Sequence, residues 1–252
     1  MTEEYLERDG FSLLRNAVEP TLVQTLLDVC GQAFKDESLA VRARSSRGHV
    51  YAARNLIEAI PEVTSVWQNK RLLQFLQNQL GDNFGLVRVL YFDKPPDRTW
   101  TLPWHKDTSI AVKDNRLPSA SFSRPTTKAG VLHVIASDRV LERMLTLRIH
   151  LDSVTDENGP LRVIPESHVS SDSIGLGIDA AVAIHASPGD VLAMRPMISH
   201  CSGPSAAGTR RHRRILHLEF AADPELPDGY RWHTFLQTSS SSIDAFPNAS
   251  PS

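Results

Sequence analysis

Hydrophobic positions recur along this chain at two periods, and the change near residue 86 divides it into a helical and a β-rich part. Before that point, Glu19-Pro20-Thr21 opens a segment in which Leu22, Leu26, Leu27 and Val29 fall on one side of a helix ending near Phe34. A second helix is predicted from about 62 to 80. Val63, Val66, Trp67, Leu72, Leu73, Phe75, Leu76 and Leu80 form its apolar stripe, and Gly81 is its stop signal. Residues 10–18 read as a short strand ahead of both helices. The Arg-, Ser- and Gly-rich stretch 41–55 reads as an exposed loop suited to act as a lid.

Beyond residue 86 the pattern becomes short alternating or β-branched runs, at 87–92, 105–112, 130–136, 144–151, 161–164, 181–185, 190–194 and 213–221. Asn158-Gly159-Pro160 and Pro188-Gly189-Asp190 punctuate them as turns. Many short strands in succession predict a mainly β protein, a closed or double-sheet architecture with the helices packed outside. A single domain is expected over 1–237, and the Ser-rich 238–252 is expected to be a disordered tail.

Composition narrows the function classes. The 252 residues carry a formal net charge of -2 with 22% charged residues, a balance that points to neither nucleic acid nor an anionic membrane. The acidic start lacks a secretory pattern, no window has the length of a membrane span, and a cytoplasmic location is expected. Cys30 and Cys201 are far apart in sequence and form neither a disulfide framework nor a metal pair.

The chemistry-bearing signal is Trp104-His105-Lys106-Asp107 at the start of a predicted strand. Side chains at i and i+2 of a strand share a face, so His105 and Asp107 converge. With a histidine from elsewhere they would form a facial triad with open coordination positions, and His200, in Ile198-Ser199-His200-Cys201-Ser202, is the candidate. A second His-x-Asp, His150-Leu151-Asp152, shares this spacing, but it sits inside a strand whose Arg148, His150 and Asp152 face reads as structural. The run Arg210-Arg211-His212-Arg213-Arg214 is mostly a solvated basic turn. One of its arginines suits the bidentate capture of a carboxylate. Alternation puts Arg213 with His217 and Glu219, and Arg214 with Leu216 and Leu218; periodicity alone does not choose between the two arginines.

Together with Phe92-Asp93-Lys94-Pro95, Glu157-Asn158-Gly159-Pro160, Gly189-Asp190-Val191-Leu192 and Arg213-Arg214-Ile215-Leu216-His217-Leu218-Glu219, these motifs give a chain that resembles the phytanoyl-CoA dioxygenase family. The resemblance implies a double-stranded β-helix, an Fe(II) centre on His105, Asp107 and His200, and 2-oxoglutarate held by Arg213 with Ser202. It implies a dioxygenase that converts 2-oxoglutarate and O2 to succinate and CO2 while hydroxylating, desaturating or cyclising a substrate. Asp107 stands where halogenating members carry a small residue. The expected substrate is a small metabolite or natural-product intermediate, shaped to a pocket with Arg54, Lys128 and Arg148 as candidate anchors. A cupin-like metal hydrolase or isomerase and a non-catalytic small-molecule binder are the alternatives.

Overall fold

The computed structural model describes residues 4–36, 43–46, 49–96, 98–169 and 177–237, so the expected tail and residues 41, 42, 47 and 48 of the expected loop lie outside the described residues. The chain opens with α1 (Glu4–Asp9), β1 (Phe11–Leu14) and α2 (Pro20–Ala33). Pro20 sits in the first turn of α2, where its fixed φ and missing N–H cost nothing, and Val23, Leu26 and Cys30 form the buried stripe.

Two expectations fail in the next stretch. The supposed exposed loop contains β2 (Ala43–Ser46) and β3 (His49–Ala53), an antiparallel hairpin added to a sheet edge. The second helix is shorter than its apolar stripe: Pro61–Thr64 is a 3-10 turn, and α3 spans only Lys70–Leu80. Asn69 starts it by accepting a hydrogen bond from the Leu72 N–H at 3.0 Å. Val63, Val66 and Trp67 are still buried, but from the preceding turn and loop. A run of apolar residues reports burial and leaves the backbone that achieves it open.

The strands that follow are β4 (Gly85–Phe92), β5 (Leu102–His105), β6 (Ser109–Val112), β7 (Phe122–Lys128) and β8 (Val131–Ala136). After α4 (Asp138–Leu141) come β9 (Met144–His150), β10 (Leu161–Val163), β11 (Val182–Ile184), β12 (Val191–Met194), β13 (His200–Ser202) and β14 (Ile215–Ala221). They form a seven-stranded sheet in the order β1-β12-β9-β14-β4-β3-β2, a four-stranded sheet β11-β10-β13-β5 and a three-stranded sheet β6-β8-β7. The predicted strand 105–112 is divided between two of these sheets, because the chain leaves β5 at His105 and re-enters as β6 at Ser109.

Alternation assigns the two faces of the large sheet. Leu147, Ile149, Leu216, Leu218 and Phe220 join the helical residues Leu26, Leu72 and Leu76 in the main core. Each such side chain contributes about 1.5–3 kcal/mol relative to exposure. The opposite face carries Arg88, Leu90 and Phe92 of β4, Arg148 of β9, and His217 and Glu219 of β14, all of which line a cavity. Apolar contacts close the fold at two further clusters. One joins Leu192, Met194, Leu161, Val163 and Ile198, and the other joins Val87, Ile110, Val134, Tyr230 and Trp232. The cavity between the sheets thus gathers charged side chains among apolar ones.

Candidate active site

The pairing of β5 with β13 sets His105 directly opposite His200, with ring centroids 4.2 Å apart. Directly opposed residues in an antiparallel pair bring their side chains together on one face, so the register makes this meeting. His200 opens β13. Asp107 lies in the link after β5, and its N–H donates to the Pro196 carbonyl at 2.9 Å, anchoring the link beside the turn that leads to His200. Convergence therefore comes from a strand end and a tethered link, where a continuous strand was expected.

Both rings are locked in the same way. The Nδ1 of His105 is 2.8 Å from the Pro103 carbonyl and that of His200 is 3.0 Å from the Ile198 carbonyl, each two residues back. A carbonyl only accepts, so Nδ1 carries a proton and Nε2 is the nitrogen turned toward the site. These Nε2 atoms lie 3.6 Å from Asp107 Oδ1 and Oδ2 respectively. Burial drives the His200 pKa down to about 4, so its imidazole is neutral at neutral pH. Burial alone would raise the Asp107 pKa; His200, His217, His105 and Arg148 around it outweigh this and hold it below the ordinary carboxylate range.

Among the described residues, this is the cluster of three whose ligand atoms all lie within 4.8 Å of one another. Two imidazoles and a carboxylate are the donor set of a non-haem Fe(II) site. With bonds of about 2 Å, neighbouring ligand atoms around an ion sit about 3 Å apart, so the observed spacing accepts one with small side-chain adjustments. The residues fit the group.

Beside the triad is a cluster of buried cations. Arg213 is 1% exposed, and its Nη1 donates to the Gly159 carbonyl at 2.8 Å and to Ser202 Oγ at 3.2 Å, while its Nε has no hydrogen-bond partner among the described residues. Lys94, fully buried, donates to the same Ser202 Oγ at 2.8 Å and to the Gly203 carbonyl at 2.6 Å. Burial, with Arg213 and Arg148 nearby, pulls the Lys94 pKa down to about 7; burial and Arg148 bring that of Arg213 to about 9. Both cations lie over the Trp100 ring, at 4.8 and 5.5 Å from its centroid. Gly159, at φ +65, completes the cradle: a Cβ there would stand 2.6 Å from the Gly203 carbonyl and 2.9 Å from Lys94 Nζ.

Arg214 is placed elsewhere. Its backbone N–H and guanidinium bind Asp152 in three contacts of 2.7–2.8 Å. The two arginines precede β14, yet Arg213, His217 and Glu219 line the cavity while Leu216 and Leu218 enter the core. Arg54, Lys128 and Arg148 also reach the cavity wall.

Sequence reasoning did not give a role to Lys94 or to the chain of contacts across the cavity floor. Arg148 Nη1 lies 3.1 Å from His217 Nδ1, His217 Nε2 lies 3.3 Å from Glu219 Oε1, and Glu219 takes a bidentate contact from Arg88. Lys94 had a signal in the Phe92-Asp93-Lys94-Pro95 motif. The Arg88–Glu219 pair depends on strand register, which sets the two residues opposite each other.

The match to the phytanoyl-CoA dioxygenase (PhyH) family spans residues 6–212, and the chain belongs to that family. It is accordingly an Fe(II)- and 2-oxoglutarate-dependent oxygenase, the class whose members use Fe(II), 2-oxoglutarate and O2. Solved structures share the double-stranded β-helix. AviO1 from Streptomyces viridochromogenes Tue57 is 23% identical with a TM-score of 0.63, covering 89% of this chain and 94% of its own. EctD from S. alaskensis, solved with 2-oxoglutarate and 5-hydroxyectoine, is 18% identical with a TM-score of 0.66, covering 88% and 76%. SnoK, a non-haem α-ketoglutarate-dependent carbocyclase from nogalamycin biosynthesis, is 16% identical with a TM-score of 0.62, covering 91% and 89%. No curated protein matches the chain in sequence. No described helix is long and apolar enough to cross a membrane.

Proposed function

We propose that His105, Asp107 and His200 hold Fe(II), that Arg213, Ser202 and Lys94 take the distal carboxylate of 2-oxoglutarate, and that the chain oxidises a small organic molecule in the adjoining cavity. The observation that carries this reading is the joint presence, on one cavity of about 430 Å³, of the triad and of a buried arginine that has no carboxylate partner among the described residues. When bound, the metal with its co-substrate supplies the oxidising chemistry, 2-oxoglutarate and O2 ending as succinate and CO2 as a substrate C–H bond is hydroxylated or a related oxidation occurs.

The chain's own residues orient and shield. The Pro103 and Ile198 carbonyls fix both imidazoles with Nε2 toward the site, an orientation that need not be bought from solvent on binding. Asp107, held ionised by its surroundings, offers a charge to the cation and fills a position a halide would need. The dry cradle of Gly159, Ser202 and Trp100 favours a carboxylate, because charge-assisted hydrogen bonds strengthen where water is excluded. The floor contacts from Arg148 to Arg88 fix His217 as the Nε2–H tautomer, donating to Glu219.

Anaerobic addition of Fe(II) and 2-oxoglutarate should give the weak visible charge-transfer band of a chelate, and His105→Ala or His200→Ala should abolish it. A band unchanged in either variant would contradict the ligand assignment.

A further inference from the structure

Two arginines project from the large sheet into the cavity, and their surroundings differ. Arg88 stands opposite Glu219 across β4 and β14 and forms a buried bidentate pair with it. Arg148 stands opposite His217 across β9 and β14, and on its other side opposite Leu192 of β12, a member of an apolar cluster. It is 6% exposed. Its Nη1 lies 3.1 Å from His217 Nδ1, its Nε has no hydrogen-bond partner, and among the described residues no carboxylate pairs with it. Burying a guanidinium is costly unless its N–H groups and its charge are both answered. His217 accepts one bond and brings no negative charge, so Arg148 waits for an anion from the cavity side.

Its position selects which anion. Arg148 lines the same chamber as the triad and Arg213. Its charge is felt by Asp107 at one end of that chamber and by Arg213 and Lys94 at the other, so it stands between the triad and the cationic cradle. Its Nη1 is held at His217, and His217 also acts on Asp107, which sets this nitrogen toward the metal end. A ligand that reaches from the triad to Arg213 must pass it. Two buried guanidinia without a carboxylate partner therefore face one chamber, and the co-substrate is a diacid with a carboxylate at each end.

Resting on the iron and 2-oxoglutarate reading above, we propose that Arg148 is a second co-substrate-binding residue, which takes the carboxylate next to the keto group while Arg213 takes the distal one, and that His217 is the positioning residue that aims it. Arg148 then recognises the 2-oxo acid group itself, and Arg213 the length of the diacid. The arginine expected from the sequence as a substrate anchor serves the co-substrate instead.

The test titrates the full chain, loaded with Fe(II) under argon, with 2-oxoglutarate and with 2-oxobutyrate, which keeps the 2-oxo acid group and lacks the distal carboxylate. The visible charge-transfer band is the readout. Arg148→Met should raise the half-saturating concentration of both acids about tenfold or more, the scale of a charge-assisted hydrogen bond. Arg213→Met should raise that of 2-oxoglutarate and leave 2-oxobutyrate within about threefold. Iron titration separates this role from a structural one: with a cation near Asp107 removed, Arg148→Met should bind Fe(II) at least as tightly as wild type, whereas a collapsed site would lose both ligands. Arg148→Lys keeps the charge at shorter reach and should raise both half-saturations more than threefold, and it carries the test if the Met variant does not fold. The proposal is overturned if both acids stay within about twofold in the Arg148 variants, as they would if Arg148 served a substrate anion. It is equally overturned if only 2-oxoglutarate weakens, or if Fe(II) binding falls together with that of the acids. A wild-type chain that binds iron and shows no band with either acid overturns the underlying reading, and this proposal with it.

Discussion

Two His-x-Asp tripeptides with the same spacing have opposite fates in this molecule. His150 is the last residue of β9 and Asp152 lies beyond it, so this pair straddles a strand end where a strand interior was expected, and both residues are occupied by the protein: His150 Nδ1 faces the Asp190 carbonyl at 3.2 Å, and Asp152 is taken by Arg214. Burial also lowers the His150 pKa to about 3, which suits a packed neutral ring. His105 and Asp107 straddle the end of β5 in the same way, so the backbone position does not separate the two pairs. At β5 the backbone neighbours lock the rings and the link while leaving Nε2 and the carboxylate facing each other and His200. The difference teaches that a ligand pair is defined less by its spacing than by which of its atoms the surrounding structure leaves uncommitted.

The sharpest way to break this comparison is to neutralise each aspartate. Asp107→Asn should weaken Fe(II) binding by well over tenfold, the removed charge being a ligand's. Asp152→Asn should leave one iron per chain and instead cost about 1–3 kcal/mol of stability by loosening the half-buried pair with Arg214. Metal titration and denaturant unfolding of both variants check this, and the reverse pattern would move the site to His150.

Next in size is the contrast between the adjacent arginines. Arg213→Ala should raise the 2-oxoglutarate requirement for succinate formation by more than tenfold, since a buried contact to a carboxylate is worth about 2–5 kcal/mol. Arg210→Ala and Arg211→Ala, on solvated side chains, should change it by less than about threefold. A large effect from Arg214→Ala with a small one from Arg213→Ala would place the anchor on the other face.

The smallest effect sharpens the picture of the cationic cradle. Lys94 has its pKa lowered from 10.5 to about 7, so between those values the unfolded chain binds more protons than the folded one. Stability of the metal-free protein through this group should therefore rise as pH increases from 7 toward 10, by roughly 1–3 kcal/mol. Lys94→Met should flatten that rise in denaturant unfolding measured at several pH values. An unchanged slope would mean that Lys94 is not buried as a cation.

Much of this was legible because central strands of the large sheet announce themselves by an apolar residue at every second position, as in Met144–His150 and Ile215–Ala221. Strands lacking that mark escaped. Phe122–Lys128 exposes most of its residues, contains Pro125, and shifts register between Ser123 and Thr126, so it reads as a loop. His200–Ser202 is too short for any periodicity. The β2–β3 pair, Ala-Arg-Ser-Ser against His-Val-Tyr-Ala-Ala, lacks a clear alternation and sits at the sheet edge beside β4. The candidate site was legible residue by residue, since His105, Asp107, His200, Ser202 and Arg213 meet on one cavity. What joins them was not: the His105–His200 register and the crowding of Lys94 onto Ser202 are tertiary facts without a local signature.

The most direct measurement is an anomalous difference map from crystals grown anaerobically with Fe(II) and 2-oxoglutarate. The account predicts one strong iron peak at about 2 Å from His105 Nε2, His200 Nε2 and an Asp107 oxygen, with a 2-oxoglutarate carboxylate against Arg213. An iron peak at His150 and Asp152, or none at the triad at full iron loading, would contradict it.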